Sequence, residues 1–288
     1  MIHVNFKTIL VYSMAGIMAL WSLAPFYWVV LSTLIPEVEL YSTPPRWVPR
    51  NITLASFHRI LVEGGGFRGG GGITATELIQ RGLANSLIVA ITSTLIMAVL
   101  ASMLGYVFAR CRFPGKNLFF LYILGTIVVP GWPVLIGLLA AFSRLGLLDT
   151  LMGLIIVSVA YRIPFDTWFM RGYLETIPRE LDDAARIDGC SRLGALFRIL
   201  LPASIPGLAS VLVVSFLFSW NMFLAPLVLT FTLKAKPITV NISELIGQFY
   251  VHWDLMSAGA VIAIIPPILV VLLFQKYIVQ GMVRGAIK

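Results

Sequence analysis

The sequence is poor in charged and in reactive side chains. Asp, Glu, Lys and Arg make up only 12% of its 288 residues, about half of their share in soluble domains. It contains 2 cysteines and 3 histidines, and the motifs His-Glu-x-x-His, Gly-x-Ser-x-Gly and Gly-x-x-x-x-Gly-Lys-Ser/Thr do not occur. These absences argue against a soluble domain, a Cys/His zinc cluster, a motif-based hydrolase and ATP hydrolysis by this chain. We therefore expect no catalytic residue, no metal site and no cofactor within it.

Hydrophobic residues, by contrast, make up 59% of the chain and are concentrated in runs long enough to cross a bilayer. The first run has no small-residue cleavage site, which favours an uncleaved anchor over a removable signal peptide. Pro130 and Pro133 are expected to bend or break the third run. We predict an all-α membrane protein with a single transmembrane domain over residues 1–288. Its six predicted spans cover residues 9–35, 85–109, 118–142, 151–170, 204–229 and 257–279.

The basic residues between the spans predict their orientation. The short loop RCRFPGK joins the second and third spans, and its Arg110, Arg112 and Lys116 place it in the cytoplasm. Alternation then puts both termini and the charged segment 171–203 inside, and the loop 36–83 outside. The net charge of +8 is spread over several loops and does not form one basic face, so we expect no nucleic-acid partner.

The outer loop contains a glycine-rich stretch, GGGFRGGGG, from Gly64 to Gly72. It lacks the Gly-Lys-Ser/Thr ending with which a phosphate-binding loop opens a helix. Its composition is typical of a flexible connection, and we predict that it is one.

A charged segment, IPRELDDAARIDGCSRLGALFRILLP, separates the fourth and fifth spans. Pro178 suits the first turn of a helix, and the acidic residues that follow it complement the positive end of that helix. Gly189 is a natural stop, and Ser191 can cap a second helix. We therefore predict a helix-turn-helix at the cytoplasmic surface. It either anchors the bundle at the membrane interface or docks a soluble partner.

This segment resembles the EAA loop of binding-protein-dependent ABC importers. The pattern of that loop is Glu-Ala-Ala, three residues, Gly, nine residues and Ile-x-Leu-Pro, and the spacings are the same here with Asp in place of Glu. The matching residues are Asp183, Ala184, Ala185, Gly189, Ile199, Leu201 and Pro202. Three further stretches, NSLIVA, SFLFSWNMFLAPL and QKYIVQGMVRGAIK, are similar to the carbohydrate branch of these permeases, the last to its maltose-type second subunit.

The resemblance implies a type I importer permease in the cytoplasmic (inner) membrane of a bacterium or archaeon. This chain and a second permease subunit would form the path for a sugar or oligosaccharide delivered by an extracytoplasmic binding protein. Two separate ATPase subunits would bind ATP and Mg²⁺, and the residues of the EAA loop would couple their closure to the spans. An acidic glycan or a glycerol phosphodiester is the alternative substrate.

Four residues within the spans are candidates for the translocation path. Arg162 and Asp166 are one helical turn apart, and ionisable groups at membrane depth usually face the bundle interior or water. They either neutralise each other in a salt bridge or form a polar site on the path. Trp220 and Asn221, late in the fifth span, either anchor or cross-link helices or contact a sugar.

Two other classes of membrane protein were weighed against the importer. An ion-coupled secondary transporter is expected to have repeated halves, and no internal repeat is evident. It would also leave the EAA-like segment unexplained. An intramembrane enzyme is not supported, because the sequence contains neither of the hydrolase motifs named above. The importer permease is therefore the preferred interpretation.

Overall fold

The computed structural model describes residues 6–63, 72–129, 131–247 and 251–286, without the side chains of Phe6, Trp132 and residues 278–286. Within these ranges the chain is helical and has no β-strand, which confirms the all-α prediction. The predicted flexible stretch lies outside the described residues except for Gly72. Of the two prolines expected to bend the third run, Pro130 lies outside them, and Pro133 lies in the first turn of the helix Gly131–Leu145.

Fourteen α-helices are assigned in the described ranges. They are α1 (Phe6–Leu34), α2 (Glu37–Leu40), α3 (Ala55–His58), α4 (Ala75–Arg110), α5 (Lys116–Gly125), α6 (Gly131–Leu145), α7 (Leu151–Glu175), α8 (Arg179–Ile187), α9 (Arg192–Ala195), α10 (Leu201–Ala203), α11 (Ile205–Trp220), α12 (Leu224–Leu229), α13 (Ile238–Ser243) and α14 (Trp253–Ala286).

Four of these helices, α1, α4, α7 and α14, are long and apolar enough to cross a membrane. Two bent pairs bring the number to 6 if each pair is one span: α5 with α6, and the helical run Arg192–Ala203 with α11. The second pair bends by 86°, so the run before α11 lies across the direction of that helix. The predicted number of six lies within this range of 4 to 6. The bounds of the predicted spans and the side of the membrane on which each end lies stay predictions.

The second span is part of a longer helix than its sequence predicts. α4 begins at Ala75, inside the predicted outer loop 36–83. A capping box starts it, because the Glu77 N–H donates to Thr74 Oγ1 (3.3 Å) and the Thr74 N–H donates to Glu77 Oε2 (3.1 Å). Its 36 residues measure about 54 Å, against a bilayer core of about 30 Å. Part of α4 therefore extends beyond the membrane.

The predicted fifth span, 204–229, is not one helix. α11 ends at Trp220, and α12 resumes at Leu224. Pro226 gives the reason: in a continuous helix it would offer no N–H to the Met222 carbonyl, and its ring would clash with that carbonyl. The Met222 carbonyl instead accepts a hydrogen bond from Thr239 Oγ1 at 2.8 Å.

Residues 81–240 and 265–288 form one compact unit. In it, two glycines allow neighbouring helices to approach α7 closely. A Cβ on Gly207 of α11 would lie 2.5 Å from Tyr173 Cγ, and a Cβ on Gly105 of α4 would lie 2.8 Å from Met170 Cβ. One buried cluster at these contacts consists of Ala101, Tyr106, Ala109, Met170, Leu174, Leu196, Leu200 and Val211.

Residues 1–80 and 241–264 form the other compact unit. Its core contains fully buried apolar side chains, and the Asn241 Nδ2 donates to the Leu78 carbonyl at 2.7 Å within it. The apolar window of α1, in contrast, is 0% buried within the chain.

Candidate functional site

The charged segment forms the helix-turn-helix that its sequence predicts. α8 ends before Gly189, whose φ of +86° is a conformation that glycine adopts without strain. Ser191 Oγ then accepts a hydrogen bond from the Gly194 N–H at 3.1 Å and caps α9. α9 continues through a π-helical turn, Leu196–Leu200, into α10, which contains Pro202.

The residues of the EAA pattern are divided between two faces of this segment. Asp183, Ala184, Gly189 and Pro202 are exposed, Ile199 and Leu201 are half-buried, and Ala185 is buried. Of the two alanines, only Ala184 is therefore placed for close approach by another molecule. Ala185 allows close packing inside this chain.

Four large apolar side chains of the segment face outwards. They are Leu181, Ile187, Leu193 and Phe197, each between 42% and 85% exposed. Their neighbours Leu196 and Leu200 are fully buried in the cluster described above. Exposed apolar residues grouped on a short charged segment mark a contact with another protein or with the membrane surface.

Asp182 attaches the segment to the end of α4, and the sequence analysis missed it. Its carboxylate is 8% exposed and accepts a hydrogen bond from Tyr106 Oη at 3.1 Å. Nearby, Arg110 Nη2 donates to the carbonyls of Leu174 (2.9 Å) and Ile177 (2.6 Å). Consecutive helical residues point about 100° apart, so Asp182 can be buried while Asp183 beside it is exposed.

A basic cleft of about 340 Å³ lies beside the exposed Asp183. Its lining residues are Arg110, Cys111, Arg112, Arg179, Asp182, Asp183, Arg186 and Arg192. The arginines outnumber the aspartates, so the cleft favours an acidic group of a partner molecule.

Arg162 and Asp166 form the salt bridge that their spacing allows, with Arg162 Nε 3.0 Å from Asp166 Oδ1. Asp166 is 1% exposed and also accepts a hydrogen bond from Ser215 Oγ at 2.6 Å. The Arg162 guanidinium lies 4.2 Å from the ring centroid of Phe165, and its Nη2 is buried with no hydrogen-bond partner among the described residues. The pair therefore links α7 to α11 and leaves one Arg162 donor unused.

Trp220 and Asn221 have different surroundings. Trp220 is 2% exposed and stacks on Phe216 at 5.7 Å, which places it in the core and not at an open surface. Asn221 is exposed, and its Nδ2 donates to the Leu217 carbonyl at 2.8 Å.

Asn221 also lines a cavity of about 440 Å³. The other lining residues are Gly131, Leu135, Tyr161, Phe218, Met222, Phe223, Leu224 and Ala225. Aromatic faces next to an amide can hold a sugar ring. Arg162, Asp166 and Trp220 do not line this cavity.

Asp149, like Asp182, is a hydrogen-bonded carboxylate that the sequence analysis did not identify. It has a φ of +54°, and its carboxylate accepts hydrogen bonds from the N–H of Phe231 (2.9 Å), the N–H of Thr232 (3.0 Å) and Thr232 Oγ1 (2.5 Å). Burial alone raises the pKa of this carboxyl, but these hydrogen bonds and the charge of Lys234 outweigh it and lower the pKa below its ordinary value. Its hydrogen-bond partners are distant in sequence, so no local sequence pattern predicts this role of Asp149.

Similarity to known proteins extends over the helix-turn-helix and the candidate path residues. The family model described as binding-protein-dependent transport system inner membrane component matches residues 99–284, which include the helix-turn-helix and all four path candidates.

Two relatives are similar along nearly their whole length. The osmoprotective compounds uptake permease protein GgtD of Synechocystis sp. is 32% identical over 93% of this chain and 88% of its own. The trehalose/maltose transport system permease protein MalG of Thermococcus litoralis is 31% identical over 98% of this chain and 97% of its own.

The fold is also that of a solved permease. A chain of a bacterial ABC transporter involved in the import of the acidic polysaccharide alginate matches with a TM-score of 0.76 and 22% identity. The match covers 96% of this chain and 98% of that one, so the two share their fold over almost their full length.

Proposed function

Since the chain belongs to the family of binding-protein-dependent transport system inner membrane components, we propose that it is one of two permease subunits that form the sugar path of an ATP-driven importer. It is a membrane subunit of the inner membrane. The partner permease, two ATPase subunits and an extracytoplasmic binding protein complete the transporter in this proposal.

The observation that carries the proposal is the set of four exposed apolar side chains on the helix-turn-helix, Leu181, Ile187, Leu193 and Phe197, which we call the docking patch. A helix that only anchors the bundle presents a continuous apolar face to lipid, whereas Ile187 lies between Arg186 and Asp188 next to the turn. A soluble subunit that covers the patch would also reach Asp183 and the basic cleft. We therefore assign the ATPase contact to this surface.

In this mechanism the segment works as a lever. Asp183 and Ala184 contact the ATPase subunit, and the positive φ of Gly189 provides the sharp turn between the two helices. Ile199, Leu201 and Pro202 belong to the run that meets α11 at 86°. Movement of the docked α8 is transmitted through the Asp182–Tyr106 hydrogen bond to α4 and through this bend to α11.

The substrate is a sugar or an oligosaccharide. The cavity beside Asn221 supports this class, because Tyr161, Phe218 and Phe223 offer ring faces next to the amide. An acidic glycan is the second candidate, favoured by the unused Nη2 donor of Arg162, which a carboxylate could accept once the path opens. A glycerol phosphodiester would use the same donor.

ATP and Mg²⁺ belong to the ATPase subunits in this proposal. The chain contains no Gly-x-x-x-x-Gly-Lys-Ser/Thr loop, and the contribution of its own residues is to dock, to transmit movement and to line the path.

The test compares two matched substitutions of exposed isoleucines. Ile187→Asp places a charge in the docking patch, whereas Ile52→Asp places the same charge on the predicted outer loop; the two side chains are 85% and 73% exposed. We expect Ile187→Asp to lose co-purification of the ATPase subunit and at least about 90% of transport, because an unpaired charge in an apolar interface is costly. Ile52→Asp retains both.

Equal co-purification of the ATPase subunit with both variants would contradict the docking surface. A chain that purifies alone and transports in proteoliposomes without ATP would overturn the importer itself, and the ion-coupled transporter would replace it.

A further inference from the structure

Three side chains of metal-ligand type meet in the unit formed by residues 1–80 and 241–264. They are Glu37 at the start of α2, His252 just before α14 and Asp254 in the first turn of α14. One ligand atom of each, a ring nitrogen or a carboxylate oxygen, lies within 4.8 Å of the other two. The residues come from opposite ends of the chain, so only folding brings them together.

The Asp254 carboxylate is 1% exposed and only partly hydrogen-bonded. Its Oδ2 accepts from Arg59 Nη1 at 2.7 Å, and the same nitrogen lies 3.4 Å from Glu37 Oε2. Its Oδ1 is buried with no hydrogen-bond partner among the described residues. A buried carboxylate oxygen without a partner is costly, so the unused lone pairs indicate a ligand that the surrounding protein atoms do not supply.

The charge of the cluster suits a cation. In the two ion pairs of the cluster, the carboxylates of Glu37 and Asp254 share one guanidinium, that of Arg59. A neutral imidazole also presents the nitrogen lone pair that binds metals.

We propose that Glu37, His252 and Asp254 bind a zinc ion. Zinc accepts one imidazole nitrogen and two carboxylate oxygens at about 2.0–2.2 Å, which places tetrahedral ligands about 3.3 Å apart. The observed spacing of at most 4.8 Å reaches this value by a small contraction of side chains. Mg²⁺ and Ca²⁺ prefer all-oxygen sites and fit this cluster less well.

In this site Arg59 is an outer partner that holds the Asp254 carboxylate in place through Oδ2, while Oδ1 faces the metal. The ion ties α2 to the beginning of α14, where Tyr41 Oη also donates to the Val251 carbonyl at 3.2 Å. Glu37 lies in the predicted outer loop, and His252 and Asp254 precede the predicted sixth span on the same side, so the ion comes from the extracytoplasmic compartment. Water fills the fourth position, and the site braces the structure.

The experiment uses the chain purified in detergent with its partner subunits and a histidine-free affinity tag. After treatment with a chelator, Zn²⁺ is titrated by calorimetry, and the unfolding temperature is measured with and without the ion. We expect one bound Zn²⁺ that is lost in the variants described next, and a rise in unfolding temperature in the wild type.

His252→Asn and Glu37→Gln are expected to weaken this binding at least about tenfold, the effect of losing even an outer partner of a metal site. His58→Asn is the matched control, because His58 and Glu63 form an exposed pair at 3.0 Å elsewhere in the same unit. Glu37→Gln decides the question if His252→Asn does not assemble. Wild type without bound Zn²⁺, or binding that is lost in His58→Asn and kept in His252→Asn, would overturn the proposal.

Discussion

Asp182 and Asp183 are sequence neighbours with opposite surroundings. Asp182 is buried against Tyr106, and Asp183 is exposed at the edge of the basic cleft. A buried hydroxyl that loses its acceptor costs stability, whereas an exposed carboxylate contributes little to folding. The first aspartate therefore holds the lever to α4, and the second is available to a partner.

Substituting each aspartate by alanine separates these roles. We expect Asp182→Ala to lower the stability of the chain by about 1–3 kcal/mol, because the Tyr106 hydroxyl is left without its acceptor. Asp183→Ala leaves the unfolding temperature unchanged and lowers transport-coupled ATPase activity. Thermal unfolding and ATPase assays on the same preparations measure both effects, and equal unfolding temperatures for the two variants would count against this division.

Asp149 is expected to make the folded chain less stable at low pH. Its pKa is lowered in the folded chain, so its contribution is fully present above the ordinary carboxyl pKa of about 4 and is lost as the pH falls through the lower folded value. We expect the wild type to unfold at a higher temperature than Asp149→Asn at pH 7. The difference shrinks below pH of about 4, and a difference that stays constant down to pH of about 2 would exclude the carboxylate as its source.

At the scale of helices, close approach to α7 depends on small residues in its neighbours. Gly207 leaves no space for even one methyl group against the ring of Tyr173, and Gly105 leaves none against Met170. The Ser215–Asp166 hydrogen bond joins the same pair of helices, α11 and α7, farther along. α7 and α11 are therefore in contact at two points along their length.

Gly207→Ala tests this contact. The added Cβ would lie 2.5 Å from Tyr173 Cγ, so we expect overpacking to cost about 1–3 kcal/mol of stability. Gly172→Ala, next to Tyr173 with no atom within 4 Å of its added Cβ, is the control and is expected to be tolerated. Unfolding temperatures measure both. In a Tyr173→Ala background the same Gly207→Ala substitution should cost less stability, and an equal cost in both backgrounds would contradict the contact.

At the scale of the whole molecule, much apolar surface is not covered by the residues that the structure describes. The apolar window of α1 is unburied, and the docking patch on the helix-turn-helix is exposed. This surface is consistent with a subunit that functions in an assembly.

ATP hydrolysis should therefore be a property of the assembled transporter and not of this chain alone. We expect no ATP hydrolysis by the purified chain, and hydrolysis by the complete complex that rises at least about tenfold with the sugar-loaded binding protein, because the two permeases transmit its binding to the ATPases. Phosphate release from proteoliposomes is the readout. Stimulation that is unaffected by omitting this chain would contradict its role.

Local physical chemistry allowed the sequence to determine much of this protein. Apolar runs require helices in lipid, Gly189 and Ser191 mark the turn and cap of the charged segment, and the spacing of Arg162 and Asp166 allowed their salt bridge. The capping box at Thr74 and Glu77 and the break imposed by Pro226 were also readable, although the predicted spans ignored them.

Tertiary structure alone decided which side chains face inwards and which distant residues meet. It buried Asp182 and Trp220, left Ile187 exposed, and gathered Glu37, His252 and Asp254 from opposite ends of the chain. Hydrophobic periodicity and helix capping involve residues within one or two helical turns, so they can be predicted from the local sequence. Contacts between residues far apart depend on how whole helices pack, and no local pattern records that packing.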